Sequence, residues 1–265
     1  LRELSRVISE PSMRIFFSVG EPSGDLHGAN LIKDLQQFHP RIEAVGFGGP
    51  KMADAGCNLL FDLTSLAVMG VWNVLLNVRK FFALLAQADQ YFAENKVDAV
   101  VLIDYPGFNW HIARKARKHN VRVFYYGVPQ MWAWLPWRLR KLRRLVDHVL
   151  CKLPFEVDWF KARGCQAQYV GHPYFDELVR YSYDQEFLAS QVYLGAEKHL
   201  VLLPGSRTQE VKRNLPGLLE AARHVRKKHP TLQVSVAFFK QSHADYAVQQ
   251  LTVGRDISLF VGRTP

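Results

Sequence analysis

Three stretches of this 265-residue chain place polar side chains where a buried strand would end. "AVVLIDYPGFN" (99–109) runs through apolar residues to Asp104, with a proline two positions later. A carboxylate held there can take a proton from a substrate hydroxyl if its surroundings tune it for the task. It can equally accept backbone hydrogen bonds in a turn and do nothing else. "LLPGSRTQEVKRN" (202–214) ends a strand on Pro204-Gly205-Ser206 and sets Arg207 at the mouth of a helix. Helix-terminal N–H groups favour anions, and an arginine beside them adds a fork of donors suited to a diphosphate. The plainer reading pairs Arg207 with Glu210 on one helix face. In "GEPSGDLHGAN" (20–30), the glycines with Ser23 and Asp25 either let backbone approach a phosphate or sugar, or simply form a tight turn and helix cap. His172 in "YVGHPYF" also closes a strand, as a core histidine or a cleft residue.

The elements that must position these residues show in the hydrophobic pattern. Apolar strands at 14–20, 42–49, 98–106, 121–129, 147–154 and 167–173 alternate with helical stretches at 26–38, 74–95 and 109–120. That alternation predicts a parallel, doubly wound α/β sheet. Ligands of such sheets bind beyond the carboxyl ends of the strands, where the residues above fall. Near residue 175 the pattern loosens. It restarts with a strand at 198–206, a helix at 208–228, a strand at 232–239, a helix and a strand at 256–262. The reading is therefore two α/β domains, 12–180 and 190–265, the second incomplete.

Composition sets outer limits. At 48% hydrophobic and 22% charged residues the chain is an ordinary globular one. Its net charge of +10 predicts an anionic partner: nucleic acid, a phosphorylated substrate or an acidic lipid surface. Cys57, Cys151 and Cys165 are isolated, and read as reduced core fillers in a cytoplasmic protein. No metal-ligand cluster or signal peptide is expected, and no apolar run is long enough to span a bilayer.

Two further segments invite a surface role. Residues 66–85 mix Val71, Trp72, Val74, Leu75, Val78, Phe81 and Phe82 with Arg79 and Lys80. They make either a helix buried on two sides or one that dips into a membrane surface. Residues 131–148 carry Trp132, Trp134 and Trp137, then Arg138, Arg140, Lys141, Arg143 and Arg144. Such a run is a solvated basic face, or a site for phosphate or anionic lipid.

Taken together, the motifs resemble the lipid-A-disaccharide synthase family. The matching stretches are "GEPSGDLHGANLI", "GFGGPKMADAGC", "LAVMGVWNVL", "LIDYPGFNWHIARKAR", "FYYGVPQMWAWLPWRLRKLR", "LCKLPFEVDWF", "YVGHPYFDEL" and "LLPGSRTQEVKRNLP". They occur in the family's order between about residues 14 and 217. Each is weak alone; the ordered set is specific. The resemblance implies two Rossmann-like doubly wound domains facing a cleft (GT-B type). It implies an inverting transfer of 2,3-diacylglucosamine from UDP to the 6-hydroxyl of lipid X. The products are lipid A disaccharide 1-phosphate and UDP. On that resemblance Asp104 matches the catalytic base. Arg207 matches a ligand of the diphosphate or acceptor phosphate. Ser23, Gly24 and Asp25 match the first sugar-site loop, and Asn109 and Glu210 match further substrate-site positions. Val71, Trp72, Val74, Leu75, Val78, Phe81 and Phe82 match the membrane-touching region. No cofactor and no metal are implied. The partners are the two lipid substrates and the anionic cytoplasmic face of the inner membrane of a Gram-negative-type bacterium. No nucleic acid is involved, and a homodimer is left open. Members carry roughly another hundred residues, the scale of a further domain unit. These include a Ser-Gly-Thr-rich stretch absent here, so the 265 residues are expected to be inactive by themselves.

The chain also departs from the family. Gly107 stands where a second acid is usual, so Asp104 would act alone. Asn73 replaces a frequent acid, Pro22 a frequent alanine, and Leu135-Pro136-Trp137 follow the second tryptophan of "MWAW", where arginine is common. Fold alone leaves other readings: a UDP-N-acetylglucosamine epimerase or a peptidoglycan-precursor transferase. A basic nucleic-acid-binding protein is a third class, and would need its Trp and Arg side chains arranged along a groove.

Overall fold

The structure, a computed structural model, describes residues 13–67, 78–133, 136–192, 198–250 and 257–263. Val71, Trp72, Val74, Leu75 and Trp134 lie outside the described residues. The chain divides into two units, one up to Phe175 and one from Asp176 onward.

In the first unit the strands are β1 (Met13–Val19), β2 (Ile42–Gly48), β3 (Asn58–Asp62), β4 (Ala99–Ile103), β5 (Arg122–Tyr126), β6 (His148–Cys151) and β7 (Ala167–Tyr169). Between them run α1 (Pro22–Phe38), α2 (Pro50–Asp54), α3 (Thr64–Ala67), α4 (Val78–Glu94), α5 (Pro106–Lys118), α6 (Leu139–Leu145) and α7 (Pro154–Lys161). The strands form one sheet in the order β3-β2-β1-β4-β5-β6-β7, every pair parallel. Period-two geometry sends neighbouring side chains to opposite faces. Phe16, Val100 and Leu102 join one core with Phe47, Ile112 and Tyr125. Ile15, Phe17, Val19, Val101 and Ile103 join the other with Ala29 and Ile32 of α1. This is why the strands read as continuous apolar runs. Cys57, Cys151 and Cys165 are buried, and burial pushes the thiols of Cys57 and Cys151 up to about 12.

Three details differ from the sequence reading. β3 and the short α2 were not anticipated, because a five-residue strand with no fully buried position carries no alternation to detect. The strand expected over 98–106 stops at Ile103. The loosened stretch after residue 175 contains two helices, α8 (Pro173–Arg180) and α9 (Gln185–Val192).

The second unit has a parallel sheet ordered β10-β9-β8, from β8 (His199–Leu202), β9 (Gln233–Phe238) and β10 (Ile257–Val261). Its helices α10 (Thr208–Lys228) and α11 (Gln241–Gln250) follow β8 and β9. Val211, Leu215, Leu219 and Ala222 form the apolar stripe of α10 and pack with Val234, Val236 and Phe238.

Candidate active site

Strand order in the first unit reverses between β1 and β4. In an open parallel sheet that reversal opens a crevice outside the carboxyl ends of the two strands. Val19 pairs with Ile103 there, so the turn after β1 and the turn bearing Asp104 lie side by side.

Asp104 and Tyr105 both have left-handed backbone, with φ of 44° and 43°. For residues with a side chain this costs about 1–3 kcal/mol each and persists only where the surroundings enforce it. The enforcement is visible. The Asp104 N–H donates to the Tyr126 carbonyl (3.3 Å). Its carbonyl accepts from the Tyr125 hydroxyl (2.9 Å) and from Asn109 Nδ2 (2.8 Å). The same Asn109 amide reaches the carbonyls of Ser18 (3.1 Å) and Ile103 (3.2 Å), and its Oδ1 accepts from Ser18 Oγ (2.6 Å). Asn109 is 0% exposed. It ties β1, β4 and the start of α5 together as a buried strut.

The Asp104 carboxylate is partly buried. Burial pushes its pKa up, the Lys152 ammonium at 3.8 Å pulls it down, and the charge of Glu21 adds to the rise. Neither Lys152 nor Glu21 was singled out from sequence. The signal for Lys152 was the one that flagged Asp104: a charged residue directly after a buried strand.

The turn after β1 is shorter than expected, since α1 begins at Pro22 and takes in Ser23, Gly24 and Asp25. Ser23 is exposed in the first helical turn, where N–H groups favour an anion. Asp25 is 3% exposed. Its carboxylate accepts from the N–H groups of Gly49 (2.9 Å), Lys51 (3.0 Å) and Met52 (3.1 Å), capping α2. Asp25 therefore ties the first turn of α1 to the start of α2 with its side chain almost wholly buried.

Beside the Asp104 turn, α4 and α5 enclose an apolar pocket of about 380 Å³. Val78, Phe81, Phe82 and Leu85 line one side and Tyr105, Gly107 and Phe108 the other. Phe82 is 66% exposed. The three described residues of the expected membrane-contact set thus converge next to the turn. Gly107 lines this wall instead of the acid usual in the resembling family. Farther along the same two helices, Lys115 (2.8 Å), Lys118 (3.1 Å) and His119 (2.8 Å) surround Asp89 and hold its carboxyl well below the usual range.

The aromatic-basic segment is partly anchored. Trp132 Nε1 donates to Glu156 Oε1 (3.1 Å), and the Trp132 ring meets Phe155 edge-on. Trp137 is 69% exposed. His172 stays local, with Nδ1 accepting from the Tyr174 N–H (3.2 Å).

In the second unit, Arg207 is the N-cap residue of α10. Glu210 Oε2 accepts from the N–H groups of Ser206 and Arg207 (3.1 Å each), and Oε1 pairs with the Arg207 guanidinium at 3.4 Å. Those backbone bonds, more than the arginine charge, hold the Glu210 carboxyl below its usual value. A Cβ on Gly205 (φ +118°) would lie 2.7 Å from Glu210 Cβ, so only glycine allows this closure. The plainer reading of Arg207 is realised, yet its side chain remains 84% exposed. Among the described residues no group of His, Cys, Asp and Glu could hold a metal ion, and no helix is long and apolar enough to cross a membrane.

Comparison with known proteins gives this geometry a lineage. The family model of lipid-A-disaccharide synthetase matches residues 15–263. The lipid-A-disaccharide synthase of Trichlorobacter lovleyi is 41% identical over 221 residues, 83% of this chain and 57% of that protein. That of Geobacter sulfurreducens is 38% identical over 222 residues, 84% of this chain and 58% of that protein. The chain thus spans little more than half the length of these curated relatives. Among solved structures, a putative UDP-N-acetylglucosamine 2-epimerase from Listeria monocytogenes superposes with a TM-score of 0.65 at 12% identity, over 95% of this chain and 69% of that one. Acinetobacter baumannii MurG superposes at 0.52 and 12% identity, over 96% of this chain and 67% of that one. At such identities these structures share the fold alone, that of GT-B-type enzymes. By the family match and the curated relatives, this chain belongs to the lipid-A-disaccharide synthetase family.

Proposed function

We propose that this chain carries the acceptor-facing unit and the start of the nucleotide-facing unit of a lipid-A-disaccharide synthase. Such an enzyme transfers 2,3-diacylglucosamine from UDP to the 6-hydroxyl of lipid X with inversion. The observation that carries the reading is Asp104: a partly buried carboxylate in an enforced left-handed turn, at the switch point of the sheet and beside an apolar pocket. A single displacement needs one base for the acceptor hydroxyl. Gly107 leaves no second acid in that turn, which fits one carboxylate acting alone.

In this reading the pocket between α4 and α5 takes an acyl chain of a lipid substrate. Exposed Phe82 and Trp137, with the cations of α6, rest on an anionic bilayer as aromatic and basic side chains do at headgroup level. The protein would then work as a peripheral protein on the cytoplasmic face of the inner membrane. Ser23, Gly24 and the N-terminus of α1 serve the first sugar site. Arg207 and the α10 N-terminus stabilise charge growing on the departing diphosphate. Asn109, Asp25 and Glu210 keep these groups in place.

The test is Asp104→Asn in the disaccharide-forming enzyme. Turnover should fall by about 10²–10⁴, the usual contribution of a positioned general base. Binding of UDP, followed by calorimetry, should be retained. Near-normal turnover would remove Asp104 as the base.

A further inference from the structure

A carboxylate that must take a proton has to be charged first, and burial works against that. The end of β6 supplies an answer two strands away in the sheet order. We propose that Lys152 is a positioning residue of this site, whose ammonium keeps the Asp104 carboxylate charged and aimed for proton abstraction. The inference rests on Asp104 being the base.

Three consecutive strand ends build the pair. β4 delivers Asp104, β5 ends just before Gly127, and β6 delivers Lys152. Lys152 Nζ lies 3.8 Å from Asp104 Oδ1, with both side chains mostly shielded from solvent. Gly127, between them, has φ +65°. A Cβ there would come within 2.8 Å of Asp104 Oδ1 and 3.0 Å of Lys152 Nζ, so the backbone makes room for this one contact. Among the described residues, the other groups around the carboxylate do not supply a cation. Glu21, after β1, is an acid that raises its pKa. Tyr105 and Tyr125 are phenols whose own pKa values burial pushes up. Arg138 is felt at Tyr125, Asn109 is uncharged, and Gly107 brings no second acid. Among the described residues, Lys152 is the cation that pairs with Asp104, at 3.8 Å.

In the reaction, an Asp104 oxygen takes the proton of the acceptor 6-hydroxyl as the hydroxyl oxygen bonds to the anomeric carbon. The bond from that carbon to the UDP oxygen breaks, and its electron pair leaves on the diphosphate. Lys152 takes no part in the bond changes, so its removal alters when Asp104 is ready and leaves those changes as they are.

Lys152→Met and Lys152→Arg in the disaccharide-forming enzyme test this, with kcat/KM measured from acid to alkaline pH. The Met variant should shift the acid limb to higher pH, lose activity several-fold at neutral pH and regain it in alkali. The Arg variant should keep most of the normal profile. An unmoved acid limb in the Met variant, or a loss uniform across pH, overturns the proposal. Carbon-13 NMR titration of the Asp104 carboxyl in this 265-residue chain reads the coupling without turnover. Its midpoint should rise in Lys152→Met. An unmoved midpoint overturns the role of Lys152 even where Asp104→Asn is dead. An active Asp104→Asn removes the base, and this proposal with it.

Discussion

The turns after β4 and β8 each carry a strand's end into a helix past a charged residue, Asp104 in one and Arg207 in the other. The second is closed locally. Glu210 captures the N–H groups of Ser206 and Arg207, four and three positions back, and Gly205 gives it room. The first is closed from a distance. Asn109 spans to Ser18, 91 residues away in sequence, and Tyr125 and Tyr126 of β5 hold the Asp104 backbone. A turn closed by its own helix can stay exposed and unstrained. A turn closed by three strands can hold a carboxylate partly out of water in a conformation it would not choose, which is the condition that perturbs a pKa.

That contrast can be broken by substitution. Asn109→Ala should have the largest effect on stability, about 3 kcal/mol, because it strands several buried polar groups. Urea unfolding followed by tryptophan fluorescence reads it cleanly, since all of the chain's tryptophans lie before residue 176. A loss below about 1 kcal/mol would mean that the first turn is held locally after all. Gly205→Ala should cost about 1–3 kcal/mol through its left-handed backbone. Hydrogen exchange should show the Ser206 and Arg207 amides losing protection, and unchanged protection would break the local account of the second turn.

The smallest effects differ in sign. Asp104 has a raised pKa, so the fold disfavours its charged form. The stability linked to it is present at acid pH and lost as pH rises through the folded value. Asp104→Asn should therefore raise the urea midpoint at neutral pH and not in acid, while destroying activity. Glu210 has a lowered pKa, so its contribution is present above the ordinary carboxylate value and lost as pH falls through the lowered one. Glu210→Gln should weaken the fold slightly at neutral pH and not in acid. The same sign for both substitutions would erase the distinction between the turns.

Much of the fold was legible because it rests on local pattern. Apolar runs at strand length, interrupted by helical periodicity, specify a parallel α/β sheet, and charged residues after those runs point to its carboxyl edge. The Arg207–Glu210 pair was legible for the same reason, being three residues apart on a helix. Asp25 and Asn109 were recognisable as members of a motif, but not as struts, because their partners are two dozen to ninety residues distant. β3 escaped because it is short and half-exposed.

The sequence by itself determined the fold class, the family and the strand ends where polar residues gather. Only the tertiary structure decided which of those residues meet. The reversal of strand order at β1 and β4 sets the start of α1, with Ser23, beside the Asp104 turn, and β5 and β6 bring Gly127 and Lys152 against it. It also decided that Asp104 is strained, partly dehydrated and paired with Lys152. Strand order and desolvation are properties of contacts between distant segments, and local periodicity carries no record of them.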